Sequence, residues 1–144
     1  MWGNMKIYTK TKILNNSSSV GVVLVGDKNQ IYMMDGVHLQ TTDINSAHLY
    51  GIKRAISFIK NNKPLYANSD IEIYASIPSV RKSDFDIFNN KLHEDKYIKQ
   101  FLNEKNISIS NNNKVVSDFD NQMMMIATQQ SNYVCYNNFK GYER

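Results

Sequence analysis

The sequence is poor in the residue types that build several common kinds of site. Its 144 residues include one cysteine, Cys135, so no disulfide can form within the chain and nothing indicates an oxidising compartment. No spacing of histidine and cysteine fits a zinc site, and no arrangement of them suggests a catalytic triad. The six glycines are scattered, which excludes a glycine-rich phosphate-binding loop. These motifs therefore predict neither a bound metal nor a cofactor.

Long apolar runs are also missing. No segment approaches the ~20 apolar residues that a membrane-spanning helix needs, and the first residues lack the charged and then apolar pattern of a signal peptide. We therefore expect a soluble, intracellular protein of the cytoplasm, with no membrane partner.

The hydrophobic content and the length of the chain suffice for one folded domain. Hydrophobic residues make up 42% of the chain and charged residues 21%, a composition that is too apolar for a disordered chain. We expect a single domain over residues 1–144, with its core at about 5–131 and an aromatic C-terminal tail at 132–144. The net charge of +4 weakly favours anionic partners, nucleic acid among them.

The first third of the chain predicts three strands. Segments rich in β-forming residues lie at 6–9, 20–25 and 30–39, and the polar turns between them are short. Three consecutive strands with short turns form an antiparallel meander.

The rest of the chain predicts helices that alternate with strands. The first helix has an apolar stripe at spacings of three and four, and Asn45 or Ser46 is expected to cap its start. The members of that stripe are Leu49, Ile52, Ile56 and Ile59. We expect strands at 70–77 and 106–110, and helices at 79–90, at 93–105 and from Asp118 or Asp120 to about Ser131.

This order predicts the fold class. A helix between two strands places those strands parallel to each other. The chain is therefore expected to be an α/β protein with a mixed five-stranded sheet, three antiparallel strands followed by strands joined through helices, and helices on both faces.

Three segments resemble the type 1 ribonuclease H family. KIYTKTK at 6–12, followed by SSSVGVVLV at 17–25, resembles the family's first strand, Φ-Φ-T-D-G-S, and its second, G-x-G-Φ-Φ, where Φ is apolar. NSAHLYGIKRAI at 45–56 resembles its N-x-A-E-Φ-x-A-Φ-x-A-Φ helix, and IEIYASIPSV at 71–80 its Φ-x-Φ-x-T-D-S-x-x-V strand end. The last helix is similar in position only. The resemblance covers nearly all of residues 5–131 and implies a ribonuclease H-like fold.

The resemblance also implies that the metal-binding carboxylates of the family are replaced in this chain. Members of the family hold two divalent ions about 4 Å apart with four carboxylates. The corresponding positions here are Lys10, His48, Ser76 and Met124. Because Mg²⁺ requires anionic oxygen ligands, the resemblance implies a ribonuclease H-like domain without two-metal hydrolysis. A shift that places Asp118 or Asp120 at the position of Met124 would cost the helix an apolar contact, so we reject it.

Two of these residues allow two interpretations each. His48 falls within the apolar stripe of the first helix. One interpretation is that it acts as a general base or phosphate ligand; the other is that it is a neutral histidine, hydrogen-bonded within the hydrophobic core. Lys10 either contacts a phosphate where the metal ions sit in relatives or extends into solvent. Ser76 and Met124 are expected to fill space.

Three functions stay open at this point. The favoured one is a noncatalytic module that binds nucleic acid, whether an RNA/DNA hybrid, a duplex or a single strand, in a virus, phage or mobile element. The candidate contacts are Lys10, Lys12, Asn45, His48 and Lys53. The second is a protein-interaction or homodimerisation module that uses the aromatic tail. The third is an active metal-dependent nuclease on RNA/DNA hybrids with unusual ligands.

Overall fold

The computed structural model describes residues 5–62, 70–77, 82–105, 107–112 and 117–141, with side chains at all of these except 27, 82 and 135–141. The chain begins with the three predicted strands, β1 (Met5–Ile13), β2 (Ser18–Val25) and β3 (Ile31–Leu39). They pair antiparallel, with Lys10 opposite Gly21 and Gly21 opposite Gly36. The predicted meander is confirmed, and β1 is longer than predicted because its pairing with β2 continues to the end of the hairpin.

The first helix, α1 (Ile44–Lys60), begins earlier than its apolar stripe suggests. Its N-cap is Asp43, so the prediction of Asn45 or Ser46 as the cap is wrong. The Asp43 carboxylate accepts hydrogen bonds from the Asn45 backbone N–H at 3.4 Å and from the Ser46 hydroxyl at 2.6 Å. These bonds supply the partner that a free helix N-terminus needs. The bond from Ser46 also lowers the pKa of Asp43.

The remaining elements are β4 (Ile71–Ala75), α2 (Lys82–Glu94), α3 (Lys96–Lys105), β5 (Ile109–Asn112) and α4 (Asp118–Gly141). The helix predicted from residue 79 lies partly outside the described residues, and α2 extends four residues beyond its predicted end. The α3 helix starts after Asp95, whose carboxylate accepts a hydrogen bond from the Ile98 N–H at 3.1 Å. β5 lies about two residues later than predicted, because parallel pairing with β4 begins at Ile109.

The last helix is the largest departure from the sequence prediction. α4 continues to Gly141, so the predicted helix end near Ser131 is wrong, and residues 132–141 of the expected aromatic tail are part of this helix. In the part of the chain that is described, no helix combines the length and the apolar character needed to cross a bilayer.

The five strands form one mixed sheet in the order β3-β2-β1-β4-β5. β1 pairs parallel with β4, and β4 pairs parallel with β5. The predicted fold class, a mixed five-stranded α/β sheet with helices, is confirmed.

Helices cover both faces of the sheet, because alternate residues of each strand point to opposite sides. On one face, residues such as Ile7 and Leu24 pack with Ile52 and Ile56 of α1. On the other face lies a cluster that includes residues of α4: Tyr8, Val23, Val25, Tyr74, Met123 and Ala127. The carboxyl end of β1 therefore lies between α1 on one side of the sheet and α4 on the other.

α4 approaches the sheet at backbone distance. A Cβ atom added at Gly21 would lie 1.8 Å from the Ala127 carbonyl oxygen, and one added at Gly36 would lie 2.4 Å from that of Gln130. Only glycine allows this approach at these two positions. Beside it, the Ser19 and Ser131 hydroxyls are 2.8 Å apart and buried.

We predict that Gly21→Ala destabilises the fold by about 1 to 3 kcal/mol, because the helix must move away from the strand to admit a methyl group. Urea denaturation measures this loss. Gly51→Ala is the matched control: its Cβ would meet the buried Val20 side chain at 3.0 Å, which a shift of a few tenths of an ångström relieves, and alanine is favoured over glycine in a helix by about 1 kcal/mol, so the loss should be smaller. Equal effects of the two variants would contradict the close packing of α4.

Candidate functional site

The carboxyl ends of β1 and β4 bring two of the four predicted positions together. The parallel ladder pairs Thr9 with Ala75, and the Ser76 N–H continues it by donating to the Thr9 carbonyl at 3.0 Å. Lys10 and Ser76 are therefore neighbours on the same face of the sheet. The half-buried Lys10 ammonium donates a hydrogen bond to the Ser76 hydroxyl over 3.1 Å.

His48 joins the opposite face of β1 to α1. Its Nδ1 lies 2.8 Å from the Thr9 hydroxyl, and the ring packs edge-on to Phe88 with centroids 5.8 Å apart. The side chain is fully buried. This geometry supports the interpretation of His48 as a core histidine, and it leaves the ring no exposed surface with which to contact a phosphate.

The pKa of His48 is lowered to about 3, chiefly because burial penalises the imidazolium form. The nearby Lys10 ammonium lowers the pKa further. The backbone of Ser76 acts in the opposite direction, although Nε2 makes no hydrogen bond of normal geometry to any described residue. At neutral pH the site therefore holds a neutral imidazole beside an ammonium group.

Met124 occupies the fourth position, on α4. It is half-buried and packs against the cluster around Tyr8 and Met123. None of the contacts found among the described residues joins it to Lys10, His48 or Ser76. Its role as a space-filling side chain stays a prediction.

A buried acid lies one helical turn before Met124, and the sequence analysis missed its role. Asp120 accepts a hydrogen bond from the Tyr8 hydroxyl, and the Lys6 ammonium lies 3.7 Å from the carboxylate. The pKa of Tyr8 is raised, mainly by burial and then by this bond. The spacing of Asp120 to Met123 and Ala127, three and seven residues, is the signal that places it on the buried side of α4.

The Asp120 network continues across the sheet. Tyr8 stacks on Tyr74 with ring centroids 5.0 Å apart, and the Tyr74 hydroxyl donates to Glu72 over 3.0 Å. Burial, and then the bond to Glu72, raises the pKa of Tyr74 to about 12. Asp120 is thus held by Tyr8, two residues before Lys10 on β1, and serves the packing of α4.

The residues at the end of β1 do not fit the divalent ions that the resemblance implies. An ammonium, a neutral buried imidazole, a hydroxyl and a thioether offer no anionic oxygen, which Mg²⁺ and Mn²⁺ prefer. Across the described ranges, no three acidic, histidine or cysteine side chains converge in a group that could hold a metal.

The candidate nucleic-acid contacts do not form one cluster. Lys12 is exposed on the same face of β1 as Lys10, and Asn45 is half-buried in the first turn of α1. Lys53 follows His48 by five residues, which places it about 140° around the helix. Its ammonium forms an ion pair with Asp95 over 2.6 Å. Lys53 therefore faces a different surface from Lys10.

Three buried polar atoms near the hairpin of β1 and β2 have no hydrogen-bond partner among the described residues. They are Thr11 Oγ1, Ser18 Oγ and His48 Nε2. Such atoms are normally satisfied by ordered water or by a ligand. All three atoms lie on the α1 face of the sheet, opposite the face that carries Lys10 and Ser76.

The strand order β3-β2-β1-β4-β5, with helices on both faces of the sheet, defines a ribonuclease H-like fold. Ribonuclease H1 of the halophilic archaeon Halobacterium salinarum NRC-1 superposes with a TM-score of 0.59 and 15% identity, over 94% of this chain and 99% of that one. LC11-RNase H1, isolated from compost by a metagenomic approach and solved with an RNA/DNA hybrid, gives 0.57 and 14%, over 92% and 99%. Foamy viral protease-reverse transcriptase, solved with double-stranded DNA, gives 0.52 and 16%, over 90% and 93%.

These structural similarities concern the fold alone. No family model matches the chain, and no curated protein matches its sequence. The function must therefore be argued from the residues of the site.

We predict that the free energy of unfolding falls as the pH is lowered from about 6.5 towards 3, because the unfolded chain protonates His48 in this range and the folded chain does not. The contribution of one such group approaches about 1.4 kcal/mol per pH unit. Urea denaturation between pH 7 and pH 4.5 measures the slope. His48→Gln should flatten it, whereas the exposed His93→Gln should leave it unchanged. Equal slopes for all three proteins would show that His48 is not held neutral.

Proposed function

We propose that this chain is a catalytically inactive ribonuclease H-like domain that acts as a nucleic-acid-associated binding or scaffolding module. The observation that carries the proposal is the contact between the Lys10 ammonium and Ser76, beside a neutral, buried His48. The resemblance assigns these three positions to metal-binding carboxylates.

The charge at the site supports the proposal that the chain does not hydrolyse nucleic acid. Two-metal catalysis requires ligands that neutralise two divalent ions next to the phosphate. A fixed ammonium has the opposite effect: at 4 Å it repels a divalent ion by about 2 kcal/mol even in bulk water, and by more in a half-buried site. The Ser76 hydroxyl and the His48 imidazole carry no charge that could offset this repulsion.

A nucleic-acid partner fits the remaining features. Two proteins of similar fold were solved with nucleic acid: LC11-RNase H1 with an RNA/DNA hybrid and the foamy viral protease-reverse transcriptase with double-stranded DNA. The chain has a net charge of +4, and Lys10 and Lys12 lie on one face at the end of β1. A viral, phage or mobile-element role follows by analogy with the foamy viral neighbour.

Exposed apolar side chains on α4 favour a second candidate, a protein-interaction or homodimerisation module. Met125 is 63% exposed and Tyr133 67% exposed, on the helix that continues into the aromatic C-terminal segment. A contiguous exposed apolar patch along this helix would mark an interaction surface.

One experiment separates these functions. The purified chain is titrated with labelled RNA/DNA hybrid, duplex DNA and single-stranded RNA across a range of KCl, and is then incubated at high concentration with the hybrid and Mg²⁺ or Mn²⁺. We expect binding that weakens steeply with salt, and uncut substrate. Lys12→Glu should weaken binding and reduce the salt slope by about 1.

The matched control is Lys28→Glu, which makes the same charge change at the opposite end of the sheet and should bind like the parent chain. Absence of binding, together with a solution mass above 16.7 kDa, would favour the interaction module. Cleavage of the hybrid by the chain, abolished by His48→Ala, would favour the nuclease.

A further inference from the structure

The Lys10 ammonium has no carboxylate partner among the described residues. The three ion pairs found there join other cations to acids: Lys6 to Asp120, Lys53 to Asp95 and Arg54 to Asp35. Lys10 is half-buried and makes its described hydrogen bond to a neutral hydroxyl. A partly desolvated cation without a counter-charge is costly, which makes the site receptive to an anion.

The geometry leaves donors for that anion. An ammonium group has three N–H donors, and Ser76 accepts from one of them. Lys10 pairs with Gly21, against which the backbone of α4 packs, and it lies just past Thr9, the last residue of β1 that pairs with β4.

We propose that Lys10, with Ser76, binds one phosphate group of a nucleic-acid backbone and that its ammonium replaces the divalent ions that bind there in active relatives. The inference rests on the proposed function and adds to it that binding is independent of metal. The positive charge that would neutralise the phosphate is built into the chain, so Mg²⁺ is neither needed nor tolerated next to it.

The first test measures the affinity for a labelled RNA/DNA hybrid at constant ionic strength, once with EDTA and once with Mg²⁺. The proposal expects affinities that agree within about twofold, since no metal takes part in the contact. Tighter binding with Mg²⁺, by about tenfold or more, would overturn it.

The second test removes the charge while keeping the length of the side chain. Lys10→Met should weaken binding of the hybrid by about tenfold or more, as expected for loss of a charge-assisted hydrogen bond to phosphate. Lys28→Met, at the opposite end of the sheet, is the matched control and should bind normally. A Lys10→Met chain that is folded by circular dichroism and binds like the parent would overturn the proposal.

The third test distinguishes a nucleic-acid phosphate from a free one. Inorganic phosphate and a mononucleotide are titrated into the labelled chain while the backbone amide signals of Lys10 and Ser76 are followed by NMR. Shifts with the hybrid and none with free phosphate at millimolar concentration support a backbone phosphate. Shifts with free phosphate alone support the anion site but contradict the proposed nucleic-acid function. No shift with any of the three ligands overturns the inference.

Discussion

The end of β1 is held to its neighbours by two contacts that involve no carboxylate. Thr9 bonds to His48 of α1, and the adjacent Lys10 bonds to Ser76 after β4. Because consecutive residues of a strand point to opposite faces, these two contacts fix both sides of the sheet at one point. The charge of this junction follows from them: it carries one ammonium and one neutral imidazole where a metal site needs negative oxygen.

The contacts at this junction require no metal ion to offset clustered negative charge. Clustered carboxylates repel one another unless a cation neutralises them, so a metal-binding site costs stability in its empty state. Here the imidazole is buried in its neutral form against Phe88, and Ser76 accepts from the ammonium. The buried acid of this region, Asp120, is bound to Tyr8 and helps to place α4 on the sheet. The charges of Lys10 and Asp120 are thus stabilised by packing and hydrogen bonds within the chain.

Much of the fold could be predicted from the sequence, because it depends on local periodicity. The stripe from Leu49 to Ile59 identified α1, and turn residues divided the meander. The bounds that failed depend on distant contacts: Ile109 starts β5 because it pairs with β4, and Gly36 allows α4 to extend across β3. The aromatic composition that suggested a tail is also compatible with a continuing helix.

The candidate site was predictable only in part. The resemblance supplied Lys10, His48, Ser76 and Met124 as a set, yet no local pattern could show that Lys10 reaches Ser76 or that Thr9 is the partner of His48. The first contact arises from the parallel pairing of β1 with β4 and joins residues 66 positions apart, whereas the second arises from the packing of α1 on β1 and joins residues 39 positions apart. The ion pair between Lys53 and Asp95 could not be predicted either, because it also joins residues that are distant in sequence.

We expect the end of β1 to exclude divalent cations. Paramagnetic Mn²⁺ titrated into the labelled chain tests it most directly, because a bound ion broadens the NMR signals of nearby amides. The account predicts that the signals of Thr9, Lys10 and Ser76 stay sharp at Mn²⁺ concentrations that saturate an active enzyme of this fold. Selective broadening of these three signals at low Mn²⁺ would contradict it.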